Sequence, residues 1–176
     1  MRAACIAFSG NGSKICKKIS EFLKQEGVET KAYAVARYAE KSQILPLCRP
    51  LKEWTKEKFR ETDLLIFVGA VGIAVRSIAP FVKDKRTDPA VLVIDEKGMF
   101  VISLLSGHIG GANEWTLLLA KFLKSTPVVT TATDLNEKLA VDVFAVKNHM
   151  AIKEMILAKK IAAEFLDGKR VGFLSD

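Results

Sequence analysis

The sequence predicts an α/β fold, an open and mostly parallel sheet with helices on both faces in a Rossmann-like three-layer arrangement. Three observations predict it. Short continuous apolar runs recur, as in "AACIAF" and "LLIFV", the pattern of strands covered on both faces. Each is followed by a glycine-bearing turn and then by apolar residues at helical spacing. "AVLVID" and "FVISLL" instead flank "EKG", which reads as a hairpin near 91–104 and contributes one antiparallel strand.

Taken in order, residues 3–8 form the first strand, "SGNGS" the turn, and Ile15, Ile19, Phe22 and Leu23 the buried stripe of a helix that runs to Gly27. "ETKAYAVARY" alternates as a second strand, and "SQILPLCRP", with its two prolines, is a connection. A charged helix follows over 51–59. Residues 64–68 are a buried strand, Gly69 and Gly72 make the bend, and a helix then ends before Pro80. After the hairpin, "SGHIGGAN" leads into a helix over 114–123, and "TPVVTTATD" supplies another buried strand. Residues 1–134 are expected to be one α/β domain. From 135 to 176 a connection, the helix "AIKEMILAKKIAAEFLDG" and a closing strand in "KRVGFLSD" are expected as the start of a further region, the chain being a fragment or a domain whose partner is missing.

Hydrophobic residues at 49% and charged residues at 27% are the balance of a globular chain long enough to bury a core. No apolar run reaches the span of a bilayer and no signal peptide is evident, so a cytoplasmic protein without membrane contact is expected. Cys5, Cys16 and Cys48 are odd in number and lack C-x-x-C spacing, which argues against disulfides and a thiolate metal site. The net charge of +7 favours anionic ligands. Its lysines and arginines are interleaved with acids and accompany no recognition helix or stacking motif, so nucleic acid is not expected as a partner.

In open α/β sheets ligands bind beyond the carboxyl ends of the strands. The loops at 9–13, 69–72, 106–113 and 130–134 are therefore expected to face one crevice. "SGNGSK" offers a helix N-terminus to an anion but lacks P-loop spacing. "GAVG" lacks the third glycine of a dinucleotide fingerprint. Arg76, one turn into the following helix, is placed to fork onto a carboxylate or to pair with Asp84 or Asp88. In "SGHIGGAN", the glycines allow close backbone approach, and His108 has the chemistry of a general acid or base or of a structural loop histidine. His149 stands in a different context, so no metal site is expected. In "TTATD", hydroxyls such as that of Thr131, with the Asp134 carboxylate, bond a polar ligand or position a water, or Thr133 or Asp134 caps the next element.

The stretch from "GAVGIAVRSIAPFVKDKRTDPAVLVIDEKGMFVISLLSGHIGGANEWTLLLAKFL" to "PVVTTATD" closely resembles the N-terminal domain of the CbiG family, the cobalt-precorrin-5A hydrolases of anaerobic cobalamin biosynthesis. The resemblance is strongest over 64–142, and the family's C-terminal domain is absent. It implies hydrolysis of a cobalt-bearing tetrapyrrole, with the ring-A δ-lactone opened by water and acetaldehyde released. It implies no cofactor, the cobalt arriving inside the anionic substrate. On this reading His108 is catalytic, and Arg76, Gly69, Gly72, Ser106, Gly107, Gly110, Gly111, Asn113, Thr131 and Asp134 bind substrate. A homodimer, or a partner that supplies the absent domain, is a further expectation. The alternatives are a non-catalytic module that binds a tetrapyrrole or another polyanion, and a nucleotide-binding α/β enzyme.

Overall fold

The computed structural model describes residues 1–131, 141, 144, 145, 148 and 150–172. The chain divides into two compact units, Met1–Val128 and Val129–Asp176.

The first unit is built on a seven-stranded sheet. Its strands are β1 (Arg2–Ala7), β2 (Glu29–Val35), β3 (Leu45–Leu47), β4 (Leu64–Val68), β5 (Ala90–Ile94), β6 (Phe100–Leu105) and β7 (Thr126–Val128), in the order β3-β2-β1-β4-β5-β6-β7. Pairing is parallel from β3 through β5. β5 and β6 then pair antiparallel, and β6 and β7 parallel. The hairpin thus reverses two strands, because β7 follows β6 rather than the rest of the sheet.

Helices cover both faces. Cys16, Ile19 and Leu23 of α1 (Gly10–Gln25), Ala39 of α2 (Ala36–Ser42), and Leu119 and Ala120 of α5 (Ala112–Leu123) pack on one face against Cys5, Ile66, Leu92 and Val101. Trp54 and Phe59 of α3 (Leu51–Glu61), with Ala74 and Ile78 of α4 (Val71–Ile78), pack on the other against Ile6, Leu65, Phe67 and Val93. Every residue of β4 and β5 is buried, which is why these strands read as unbroken apolar runs rather than alternating ones. The paired burial of Cys5 against Cys16 pushes the Cys5 thiol up, desolvation being the main cause.

Both sheet edges depart from the sequence reading. The connection "SQILPLCRP" contains β3, whose Pro46 is tolerated because a short edge strand has ladder positions that need no donor. The strand in "TPVVTTATD" is three residues long, with Thr126 and Pro127 exposed, so it is an edge and not a buried strand. Residues 36–38, read as strand, open α2 instead, and Gly72 lies within α4.

The second unit contains α6 (Met155–Leu166), where a helix was expected. The expected boundary after 134 falls within this unit. Lys169, Arg170, Val171 and Gly172 form no strand, and the last four residues of "KRVGFLSD" lie outside the described residues. No helix among the described residues is long and apolar enough to cross a membrane.

Between α4 and β5, the segment 80–89 is tied down by acids. The Asp84 carboxylate accepts hydrogen bonds from the Arg86 amide at 2.9 Å and from its guanidinium at 2.7–3.3 Å. Those bonds hold the Asp84 carboxyl well below the usual range. A depressed folded-state value means stability that is present above the unfolded carboxylate value of about 4 and lost as the pH falls below it. Asp84→Asn is therefore expected to lower the urea midpoint at neutral pH. The gap from the parent should close when the titration is repeated between about pH 4 and pH 2.

Candidate functional site

The strand order reverses direction between β1 and β4: the chain builds outward from β1 to β3 on one side and from β4 to β7 on the other. Such a switch point leaves a crevice between the two loops that diverge from it. Here those loops are Phe8-Ser9, leading into α1, and Gly69-Ala70, leading into α4.

Close packing shapes the crevice. A Cβ at Gly12 would come within 3.3 Å of Val68 Cγ1 and 3.4 Å of its carbonyl oxygen, so the start of α1 lies directly on the end of β4. A Cβ at Gly69 would sit 2.9 Å from the Phe8 ring. Ser9 caps α1 by accepting the Gly12 amide at 3.1 Å. Ala70 gives α4 no side-chain cap. Neither helix has an acid in its first turn, so both present positive dipole ends to an anion without internal competition.

Two arginines stand at this edge. Arg76 folds back along α4 until its Nη2 lies 3.2 Å from where a Gly72 Cβ would be. It is exposed and makes no ion pair or hydrogen bond among the described residues. Asp84 is taken by Arg86, and Asp88 accepts the Lys83 amide, so neither is its partner. Arg37 lies 4.4 Å over the ring of Tyr38, and that ring stands 3.6 Å from where a Gly10 Cβ would be. Arg37 and Tyr38 were missed in the sequence because 36–38 read as a continuation of β2. Ala7 pairs with Ala34 on one side and Val68 on the other, so the ends of β2 and β4 flank β1 at a spacing of about 5 Å each.

The loop 106–113 is not at this edge. β6 runs against β5, with Leu105 opposite Val91 and Val101 opposite Ile94, so the end of β6 lies at the amino ends of β4 and β5. The five residues of β4 separate it from the switch point by about 16 Å at 3.3 Å per residue. One crevice holding Gly69, Gly72 and Arg76 together with His108 therefore does not form.

The loop is built on its own hydrogen bonds. Ser106 adopts a left-handed conformation with φ 57°, held there by two contacts. Its hydroxyl donates to the Asp88 carbonyl at 3.1 Å, and its carbonyl accepts the Ala112 amide. Asn113 is buried, accepts the Ser103 hydroxyl at 2.6 Å and donates its amide to the Gly107 carbonyl. A Cβ at Gly107 would meet the Asn113 carboxamide at 2.8 Å, and one at Gly110 would meet Ser106 Cβ at 2.5 Å. Gly111, at φ 80°, opens α5. Ser106, Gly107, Gly110, Gly111 and Asn113 thus close the turn from β6 into α5. His108 is half-buried in this turn and is its sole titratable side chain. Thr131 is half-buried in the second unit, and Asp134 and His149 lie outside the described residues. Among the described residues no group of three or more histidine, cysteine or acidic side chains is arranged to hold a metal ion.

Gly110→Ala is expected to destabilise the protein by about 1–3 kcal/mol, since the added methyl meets a backbone oxygen at 2.8 Å that cannot move without breaking the turn. Thermal denaturation of the variant beside Gly172→Ala, where nothing lies within 4 Å of the new Cβ and φ is not positive, separates crowding from glycine loss in general.

Comparison with known proteins adds relatives to this geometry. Residues 53–134 match the family described as Cobalamin synthesis G N-terminal. The chain is 49% identical over 122 residues to the cobalt-precorrin-5A hydrolase of Salmonella typhimurium, covering 69% of this chain and 35% of the relative. It is 38% identical over 141 residues to the cobalt-precorrin-5A hydrolase of Priestia megaterium, covering 80% of this chain and 38% of that one. A cobalamin biosynthesis protein G homolog of known structure from Sulfolobus solfataricus superposes with a TM-score of 0.57 at 26% identity, over 99% of this chain and 50% of its own. The chain spans little more than a third of the length of these curated relatives.

Proposed function

The chain belongs to the cobalamin synthesis G family through its residues 53–134, and from that premise we propose that it takes part in hydrolysis of cobalt-precorrin-5A. The match to a cobalt-precorrin-5A hydrolase, 49% identical over 122 residues, carries this reading. The reaction consumes one water to open the ring-A δ-lactone and releases the former bridging carbon, with its methyl group, as acetaldehyde. The cobalt belongs to the substrate, and the reading calls for no organic cofactor.

The switch-point crevice supports capture of the substrate. A tetrapyrrole ringed with acetate and propionate groups carries many carboxylates, and the unpaired Arg76 guanidinium offers one of them a two-pronged, charge-assisted contact. The first-turn amides of α4, uncapped by any side chain, add to the same attraction. Gly72 leaves room for the Arg76 guanidinium to lie over the first turn of α4, and Gly69 for the Phe8 ring beside it. The +7 net charge favours encounter with a polyanion and weakens that encounter as salt rises.

His108 has the chemistry for proton transfer near neutral pH, but its loop lies beyond the opposite end of β4. Arg76 and His108 thus stand at opposite ends of β4. The reading therefore assigns carboxylate binding to Arg76 and gives His108 no part in that crevice. The second reading is a module that binds the tetrapyrrole without hydrolysing it, and the separation of His108 from the Arg76 crevice speaks for it.

Incubation of the chain with cobalt-precorrin-5A is expected to release acetaldehyde. Corrinoid binding without acetaldehyde favours the second reading, and neither binding nor release overturns both. Arg76→Ala is expected to weaken binding by about tenfold or more, the loss of one charge-assisted contact, and to raise KM rather than lower kcat. His108→Ala is expected to leave both within about twofold, since its turn stands at the other end of β4 from Arg76. A fall in kcat at unchanged KM in His108→Ala would instead move the chemistry to the amino edge of the sheet.

A further inference from the structure

Away from the switch point, an open groove of about 490 Å³ runs between α3 and the segment that follows α4. Its floor is aromatic. Phe59 is buried, Phe81 is half-buried, and their ring centroids are 6.4 Å apart with planes tilted by 45°. Its rim is cationic. Lys56 and Arg60 are four residues apart on α3 and so share one helix face, while Lys83 faces the groove from the other wall.

These three cations are not consumed by internal pairing. Lys56, Arg60 and Lys83 form no ion pair among the described residues. Two of the three acids of α3 are engaged elsewhere, Glu57 with Arg49 and Lys58, and Glu61 with Lys58, while the third, Glu53, does not line the groove. The one carboxylate in the lining, Asp88, is buried and accepts the Lys83 amide at 2.8 Å. Apolar surface at the floor of a groove draws the body of a ligand, and exposed unpaired cations at its rim draw a carboxylate.

We propose that this groove is a second ligand site, separate from the switch-point crevice, for an amphiphilic carboxylate whose flat apolar body lies on Phe81 and Pro80, with the buried Phe59 ring beside Phe81, while its acid meets Lys56, Arg60 and Lys83. The site also connects to the loop that carries His108. The backbone of Asp88, a lining residue, accepts the Ser106 hydroxyl at 3.1 Å, so a ligand in the groove rests against the wall that anchors that loop. The inference goes beyond the proposed hydrolysis and does not depend on it.

The test is a fluorescence titration of the full chain with 1-pyrenebutyrate, which joins a flat apolar ring system to one carboxylate, beside 1-pyrenemethanol, which lacks the charge. Pyrenebutyrate is expected to bind at least about tenfold more tightly than the alcohol, and the double variant Lys56→Glu/Arg60→Glu to weaken it by about tenfold or more, since an attraction becomes a repulsion. Arg76→Ala should leave this binding within about twofold. The exposed Lys83→Glu serves as an independent variant should the double one fail to fold. No saturable binding overturns the inference, as does equal affinity for acid and alcohol, or binding that survives the groove variants and is lost in Arg76→Ala. None of these readouts involves acetaldehyde, so failure of the groove and failure of the hydrolase reading are told apart.

Discussion

The parallel pairing of β1 with β4 sets the rest of the molecule. Residues 3–7 of β1 lie beside 64–68 of β4 in continuous register, and each strand carries a helical layer on either face. Because both faces are covered, these residues remove apolar surface from water twice over, each fully buried aliphatic side chain contributing about 1.5–3 kcal/mol. The same pairing creates the switch point. It sends β2 and β3 to one side and β5 to β7 to the other, and so sends the starts of α1 and α4 from adjacent strand ends to opposite faces of the sheet. The crevice there follows from the topology, and Gly12 and Gly69 follow from the crevice, since a side chain at either would fill the space that the two helix starts and the Phe8 ring occupy.

The second constraint is the reversal at 95–99. Asp95 accepts the amides of Lys97 and Phe100, and Gly98 takes φ 69° against the Ile15 side chain. This turn sends β6 back along β5. A single reversal moves the loop that follows β6, the glycine-rich turn with its histidine, to the opposite end of the sheet. The consequence is a division of labour by position. The carboxyl edge holds unpaired Arg76, and the amino edge holds the His108 turn and, through Asp88, the wall of the aromatic groove. Polyanion capture and any proton transfer by His108 are thus separated by the length of a strand.

Electrostatics is similarly local in effect. Some charges of the chain sit in pairs, as Arg86 does with Asp84 and Lys58 with Glu57 and Glu61. Such exposed pairs contribute little to stability, but they decide which cations remain available. Arg76 at one edge and Lys56, Arg60 and Lys83 at the other are among the cations outside those pairs. The net charge of +7 describes how an anion is attracted to the molecule as a whole, and the pairing describes where it is held.

The sequence by itself determined the fold class, the central strands, the hairpin and most helices, because burial on two faces writes itself into continuous apolar runs and a helix into its apolar period. It also carried the family resemblance in the run from Gly69 to Asp134, and it pointed to Arg76. It did not show the edge strands β3 and β7, each three residues long, since an exposed edge imposes no hydrophobic pattern. It hid Arg37 and Tyr38, because the change from strand to helix at Ala36 carries no turn residue. Only the tertiary structure decided which edge of the sheet each loop reaches: that depends on the direction of β6 relative to β5 and on a hairpin whose partners lie on different strands. A loop's own residues, however suggestive, contain no information about the end of the sheet at which it emerges.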